Sequence, residues 1–539
     1  MGCRFLLRAI WKPVSEAEVV VVGGGHNGLI CAAYLARSGI DTILIEARSS
    51  VGGCASTVDD LGARFNICHC EHNLVRAMPI IDELDLAKHG LKYVETEASS
   101  VCAFHDESEP WVIYSDIDKT LSGLSKSHPD QVEGYKRYLK DALPVARLAL
   151  DLAATPPSSL NFASKALHKR GEGLSRLIRW SRSSAMELLS RYFSDWHLIM
   201  PTISVGPTVW GLSPETPGTG MAALGYATRH INRVGRPQGG SGSLTDSTRA
   251  SFEAAGGKVR CGSRVENVII EDGVVKGVRL ADGEIINTRT VVAACDPKRV
   301  FVEWVGEAPR KARKMVDKWR QLPVSEGYES KIDAVLNELP EPTWGDKIRS
   351  THNGLDPLGQ TTIISPSPQD LVQAHEMRPL GKVATKPTML IDIPSVPDPT
   401  LKTASGGHVL SLEVLFTPYS TPGGWKSSNE PKRWLDIWSS FMRSEGIEKV
   451  EKWRVMTPEN YENEFSMHKG HTPSFGTSPL STFFGRDKEL TRYKTSIDGL
   501  YLSGAATYPG AGIVGISGKN TAGVVMQAIR GRGRHRNSK

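Results

Sequence analysis

At 539 residues the chain exceeds one average domain, so two or three are expected. A hydrophobic content of 40% with 52 glycines and 32 prolines excludes a disordered or fibrous chain and suits a compact, loop-rich enzyme. Most of the formal charge of +6 sits in a tail, 530–539, carrying Arg530, Arg532, Arg534, Arg536 and Lys539, so the body is nearly neutral and no nucleic-acid partner is expected. No stretch approaches 18 uninterrupted apolar residues, which argues against a membrane-spanning helix. The cysteines end at Cys295 and form no secreted disulfide framework, which suggests a reducing, cytoplasmic setting. Residues 1–18 place Arg4, Arg8 and Lys12 around Phe5-Leu6-Leu7 and Ile10-Trp11. We read them as an extension before the first strand; organellar targeting and a peripheral membrane contact are the alternatives.

The chain is organised around residues 19–53. Val19-Val20-Val21-Val22 is a β-branched run long enough for a strand buried on both faces. Gly23-Gly24-Gly25-His26-Asn27-Gly28 follows it, with glycine at the first, third and sixth places of G-x-G-x-x-G. Residues 29–37 read as a helix, and Ile43-Leu44-Ile45 as a second strand ending at Glu46. In this order the glycines have separate duties. Gly23 makes the tight turn, Gly25 admits a pyrophosphate, and Gly28 lets helix and strand pack closely, while Glu46 accepts ribose hydroxyls. Dinucleotide binding is the expectation. Glu46-Ala47-Arg48 then leads into Gly52-Gly53, which offers a cation and two flexible positions beside the same phosphates.

Beyond this point signals are mixed. Cys54 has no cysteine within the next ten residues, which argues against the paired thiols of a dithiol-exchange enzyme. Cys68-His69-Cys70 and His72 form a dense cluster whose spacing suits shared zinc poorly, so no metal is expected; His69 and Cys70 are taken as candidates for a wall of the active site. Residues 115–238 read as a helical cap, the usual means of building an apolar cleft. Residues 239–304 read as a return to the nucleotide domain: a helix after Gly242, paired strands around the Asp272-Gly273 turn, and the buried run Thr290-Val-Val-Ala-Ala294. The region 305–485 reads as a second sheet forming a substrate chamber, with strands at 331–336 and 409–416 and with His468, His471 and Phe484 near its end. Residues 486–529 supply the last nucleotide element: a strand ending at Gly504, a close-approach loop through Tyr508, Gly512 and Ile513, and a helix from Ser517.

Taken together, residues 19–53, 239–296 and 498–529 resemble the phytoene desaturase and carotenoid isomerase group of FAD oxidoreductases, and Gly-Gly-Gly-His26-Asn27-Gly-Leu29 is most similar to an animal branch of it. The resemblance implies an α/β chain: a Rossmann-like FAD-binding domain of the glutathione-reductase/amine-oxidase type, in pieces 19–114, 239–304 and 486–529. An α+β substrate domain and the helical cap are interleaved with it. By the same resemblance FAD is the cofactor, Arg48, Gly52 and Gly53 extend its site, Val265 meets the adenine region through its backbone, and Ala294 passes near the cofactor. The implied activity is hydride removal from an apolar or ring-containing substrate, with oxygen or a quinone reoxidising the flavin. Flavin amine oxidation, redox-neutral double-bond isomerisation and a non-catalytic interaction protein on the same fold are the alternatives. Tyr508 leads the candidates to touch the substrate, followed by His69 and Cys70, then His471; an aromatic ring beside the flavin shapes a slot without titrating.

Overall fold

Four consecutive valines leave no polar face to solvate, and the strand Val19–Val22 is accordingly buried throughout. It lies at the centre of a five-stranded parallel sheet in the computed structural model, between Thr42–Ile45 and Val291–Ala293, with Lys258–Arg260 and Leu500–Leu502 at the edges. The structure describes residues 15–68, 71–168, 173–205, 212–324, 326–444, 446–471 and 487–537. The helix His26–Arg37 crosses from the first strand to the second, and the helices Gly242–Ala254 and Ile516–Asn537 pack against it. Gly23 ends the first strand at φ +103°, and a Cβ at Gly28 would lie 2.0 Å from the Gly23 carbonyl oxygen. Close packing therefore demands glycine at both positions.

The hairpin read around Asp272-Gly273 is present as Val265–Glu271 and Val274–Leu280, with φ of 51° and 77° at the two turn residues. It belongs to a four-stranded sheet beside the parallel one. A seven-stranded sheet faces these layers, in the order Val450–Met456, Glu329–Leu336, His408–Leu415, Met389–Asp392, Thr361–Ser365, Ser100–Phe104 and Trp111–Ile113. Its last two strands fall in the segment 19–114 expected to serve the nucleotide domain. Ser100–Phe104 instead pairs in parallel with Thr361–Ser365, so the second sheet draws on chain from both sides of the cap. The cap is helical as expected, built around Val132–Ala153, with Tyr135, Tyr138, Trp180 and Tyr226 fully buried between its helices and the second sheet. Among the described residues no helix is long and apolar enough to cross a membrane.

Candidate active site

The carboxyl ends of the parallel strands open into a cavity of about 730 Å³, where α/β sheets ordinarily receive ligands. The helix His26–Arg37 starts there at Gly25 with no side-chain cap, so its first amides are left for an anion. A Cβ at Gly25 would meet nothing within 4 Å, which leaves room for close approach of a ligand to the backbone. Glu46, 8% exposed, is held from both sides: Oε2 accepts the Gly24 N–H at 2.7 Å and Oε1 the Arg48 N–H at 2.8 Å. Each oxygen keeps a lone pair for a ribose hydroxyl. The Arg48 guanidinium lies over the Phe465 ring at 4.3 Å and donates to Ser56 Oγ at 3.2 Å, which fixes the cation at the cavity edge. Gly52 does not line the cavity; its N–H donates to the Gly24 carbonyl at 2.8 Å and so ties the second glycine element to the first.

His26 and Asn27 share a 3.0 Å hydrogen bond between Nε2 and Nδ2. Burial lowers the His26 pKa to about 4, with the Gly512 backbone opposing in part, so the ring is neutral near pH 7. Asn27 Oδ1 is buried with no partner among the described residues, an acceptor suited to a ligand hydroxyl or N–H. Beside Glu46 the wall is completed by Ser263, Val265, Ala294, Cys295 and Trp304. Ser263 N–H donates to the Glu46 carbonyl at 2.9 Å. Burial pushes the Cys295 thiol up to about 12, which leaves it unreactive.

The rest of the wall comes from the second sheet and the last loop. Gly504, Ala505, Ala506, Ala511, Gly512 and Ile513 line it, and Ser517 Oγ pins the loop by accepting the Gly504 N–H at 3.0 Å. Opposite residues include Tyr328, Glu329, Leu390, Glu413 and Leu415. Glu413 is 3% exposed and its cross-strand neighbour Lys331 is fully buried. Lys331 donates to the Asn66 carbonyl at 2.7 Å and to the Asp333 carboxylate; Asp333 also receives Arg454 Nη2 at 2.8 Å, and Arg454 Nη1 reaches Asp60 at 2.9 Å. Cys54 and Cys68 also line the cavity. Cys54 Sγ is 3.2 Å from Met467 Sδ and Cys68 Sγ is 3.6 Å from Glu329 Oε1. The nearby Cys54 thiol, burial and the Glu329 and Glu413 carboxyl groups hold the Cys68 thiol well above its ordinary range.

The nucleotide-site residues expected from sequence thus converge: Gly23, Gly25, His26, Asn27, Gly28, Glu46, Ala47, Arg48, Gly53, Val265, Ala294, Gly504, Gly512 and Ile513 all line one cavity. Two of the substrate candidates, Tyr508 and His471, are absent from that lining. Tyr508 joins the apolar cluster of the cap, because Tyr493 Oη donates to its carbonyl at 2.9 Å and its own N–H donates to the Leu490 carbonyl at 3.1 Å. His471 stands behind Tyr328, edge-on at 6.1 Å, and burial lowers its pKa to about 4. His69, Cys70 and Phe484 lie outside the described residues. Cys68 belongs to the cluster read as a candidate wall and does line the cavity, whereas Cys54, Glu329 and Glu413 were not expected there. The two glutamates carry no motif: Glu413 lies inside the strand expected at 409–416 and Glu329 just ahead of the one expected at 331–336.

The family profile described as Flavin containing amine oxidoreductase matches residues 28–376. The chain is 27% identical to pyridine nucleotide-disulfide oxidoreductase domain-containing protein 2 of Rattus norvegicus, over 96% of this chain and 94% of that protein. It is 26% identical to a lycopene-forming phytoene desaturase of Pseudescherichia vulneris, over 95% of this chain and 100% of that one. Among solved structures, a redesigned putrescine oxidase superposes with a TM-score of 0.59 at 14% identity, covering 96% of this chain and 100% of that chain. The fold is the Rossmann-like FAD-binding fold of the amine-oxidase and glutathione-reductase type.

Proposed function

The chain belongs to the flavin-containing amine oxidoreductase family, and on that footing we propose that it holds FAD in this cavity and withdraws two hydrogens from an organic substrate. The observation that carries the reading is the single cavity joining the uncapped helix end and Glu46 to an inner wall of Leu390, Leu415 and Ile513. Bound there, FAD would supply a two-electron acceptor for a hydride. The residues of the chain have the remaining tasks. Glu46 accepts the ribose hydroxyls, Arg48 and the amides after Gly25 take the pyrophosphate, and Asn27 Oδ1 receives a donor from the cofactor. Leu390, Leu415 and Ile513 exclude water and orient an apolar or ring-containing donor, which needs alignment more than it needs a nucleophile.

A purified sample should show a flavin spectrum, and the cofactor released on denaturation should co-elute with FAD. Recovery of NAD alone, with FAD supplied throughout, would refute the reading. A second reading, amine oxidation, is favoured by Glu329 and Glu413, two carboxyl groups on the wall that suit a cationic donor. Anaerobic flavin reduction by a panel of amines and of apolar hydrocarbons, with peroxide release measured afterwards, separates the two. Turnover without net reduction of any acceptor would instead indicate double-bond isomerisation.

A further inference from the structure

Six cations and one acid fall between Arg310 and Arg320, a concentration of positive charge in a body that is nearly neutral as a whole. Pro309 opens a turn, with the Ala312 and Arg313 N–H groups donating to its carbonyl at 2.8 and 3.0 Å, and the helix Arg313–Gln321 continues it. Ala312, Val316 and Trp319 recur at helical spacing and are buried on one face. Trp319 anchors that face: its ring lies 5.8 Å from Phe301, and its Nε1–H donates to Glu489 at 3.0 Å. The opposite face is thereby held outward. Arg310, Arg313, Lys314, Asp317, Lys318 and Gln321 follow one another along it, and with Leu322 they line a groove of about 760 Å³ that shares no residue with the cavity described above.

Part of this charge is already answered. Lys318 pairs with Asp487 at 2.8 Å and with Glu489, and Asp317 pairs with Arg320 at 3.0 Å. Arg310, Lys311, Arg313 and Lys314 are exposed and carry no ion pair among the described residues. Like charges three and four residues apart repel, and an anion in the groove would relieve them. We propose that the groove binds neighbouring phosphate groups, presented by a soluble oligophosphate. Arg310 and Arg313 offer planar forks and Lys314 a point charge, the two kinds of donor that phosphate oxygens take. Arg310 and Lys314 stand about 6 Å apart along the axis, so neighbouring phosphates of one ligand answer them better than a single phosphate does. Lipid headgroups present the same chemistry, but the helix has already turned its apolar face, Val316 and Trp319, into the protein and has none left to enter a bilayer. The groove lies apart from the flavin site, so the inference stands or falls separately from the function proposed above.

The test is calorimetric titration of the full chain with inorganic tripolyphosphate, with FAD in excess so that the other cavity's phosphate site is filled. The expected result is binding that weakens as salt rises, because exposed charges are screened. Reversing two charges together, Arg313→Glu with Lys314→Glu, should weaken it about tenfold or more. Both side chains are exposed, so the double variant should unfold in urea as the parent does. Reversal in the basic tail, Arg534→Glu with Arg536→Glu, should leave tripolyphosphate binding in place. A parallel arm measures co-sedimentation with vesicles of phosphatidylcholine alone and mixed with phosphatidylserine. No tripolyphosphate binding, equal binding by the double variant, loss of binding with the tail reversal, or binding to the mixed vesicles only would each overturn the proposal.

Discussion

Two alanine substitutions three residues apart, at the N-cap and in the first turn of the helix His26–Arg37, separate packing from ligand approach. At Gly28 an added Cβ would stand 2.0 Å from the Gly23 carbonyl oxygen, 1.4 Å inside the 3.4 Å at which ordinary contact begins, and 3.1 Å from Ala294 Cβ. The obstacle is backbone at the end of the central strand, so the helix must move bodily. Overpacking that shifts backbone costs about 1–3 kcal/mol, and an overlap of this size belongs at the upper end. At Gly25 the backbone has φ −67° and ψ 168°, which alanine adopts freely, and its Cβ would touch nothing. Gly25→Ala should leave the cofactor-free protein as stable as before or raise it by about 0.4–1 kcal/mol through the unfolded chain. Its methyl group would nevertheless occupy the space above the helix end. Urea unfolding of cofactor-stripped protein should therefore weaken only for Gly28→Ala, whereas flavin absorbance per chain should fall for both. Full flavin retention in Gly25→Ala would refute the cradle, and unchanged unfolding of Gly28→Ala would refute the steric argument.

The pH dependence has a definite sign at His471, whose folded pKa of about 4 lies below its ordinary 6.5. Between those values the unfolded chain binds a proton that the folded chain does not, so stability is intact above about pH 6.5 and falls as pH drops toward 4. Replacing His471 with Gln should flatten the unfolding free energy over that window by about 2–3 kcal/mol relative to the parent. Arg454→Ala removes two hydrogen bonds from the fully buried Asp333 and should cost about 2–4 kcal/mol by urea unfolding, more than Lys452→Ala on the same strand. If amines are the donors, Glu413→Gln should raise their KM about tenfold or more with little change for uncharged donors, read from anaerobic flavin reduction.

The nucleotide half was legible because its signals are local. A valine run, glycines at fixed offsets and an acid at the next strand end each report on a turn or a pairing within thirty residues, and the structure gathers them at one cavity mouth. The Asp272-Gly273 turn was legible for the same reason: positive φ at both residues is a property of the dipeptide. The inner wall was not. Cys54 and Cys68 reach the same cavity from the two ends of a hairpin, a meeting that counting ten residues forward stops short of. Glu329 and Glu413 meet the cavity through strand register set by partners far along the chain, which no short motif encodes. Tyr508 shows the limit of reasoning from a loop's neighbours: Gly504 and Gly512 line the cavity, yet backbone bonds to Leu490 and Tyr493 turn the residue between them into the cap.

The interleaving of the two sheets bears on the order in which the chain can acquire structure. Ser100–Phe104 must wait for Thr361–Ser365, some 261 residues later, before it gains its parallel partner, and the central Val291–Ala293 strand lacks one neighbour until Leu500–Leu502 emerges. Such long loop closures are slow and leave strand edges open during synthesis. A ribosome-bound chain that stops short of Leu500 therefore exposes an unpaired edge of an apolar parallel sheet, which makes nascent chains of this length clients for chaperones that shield hydrophobic edges.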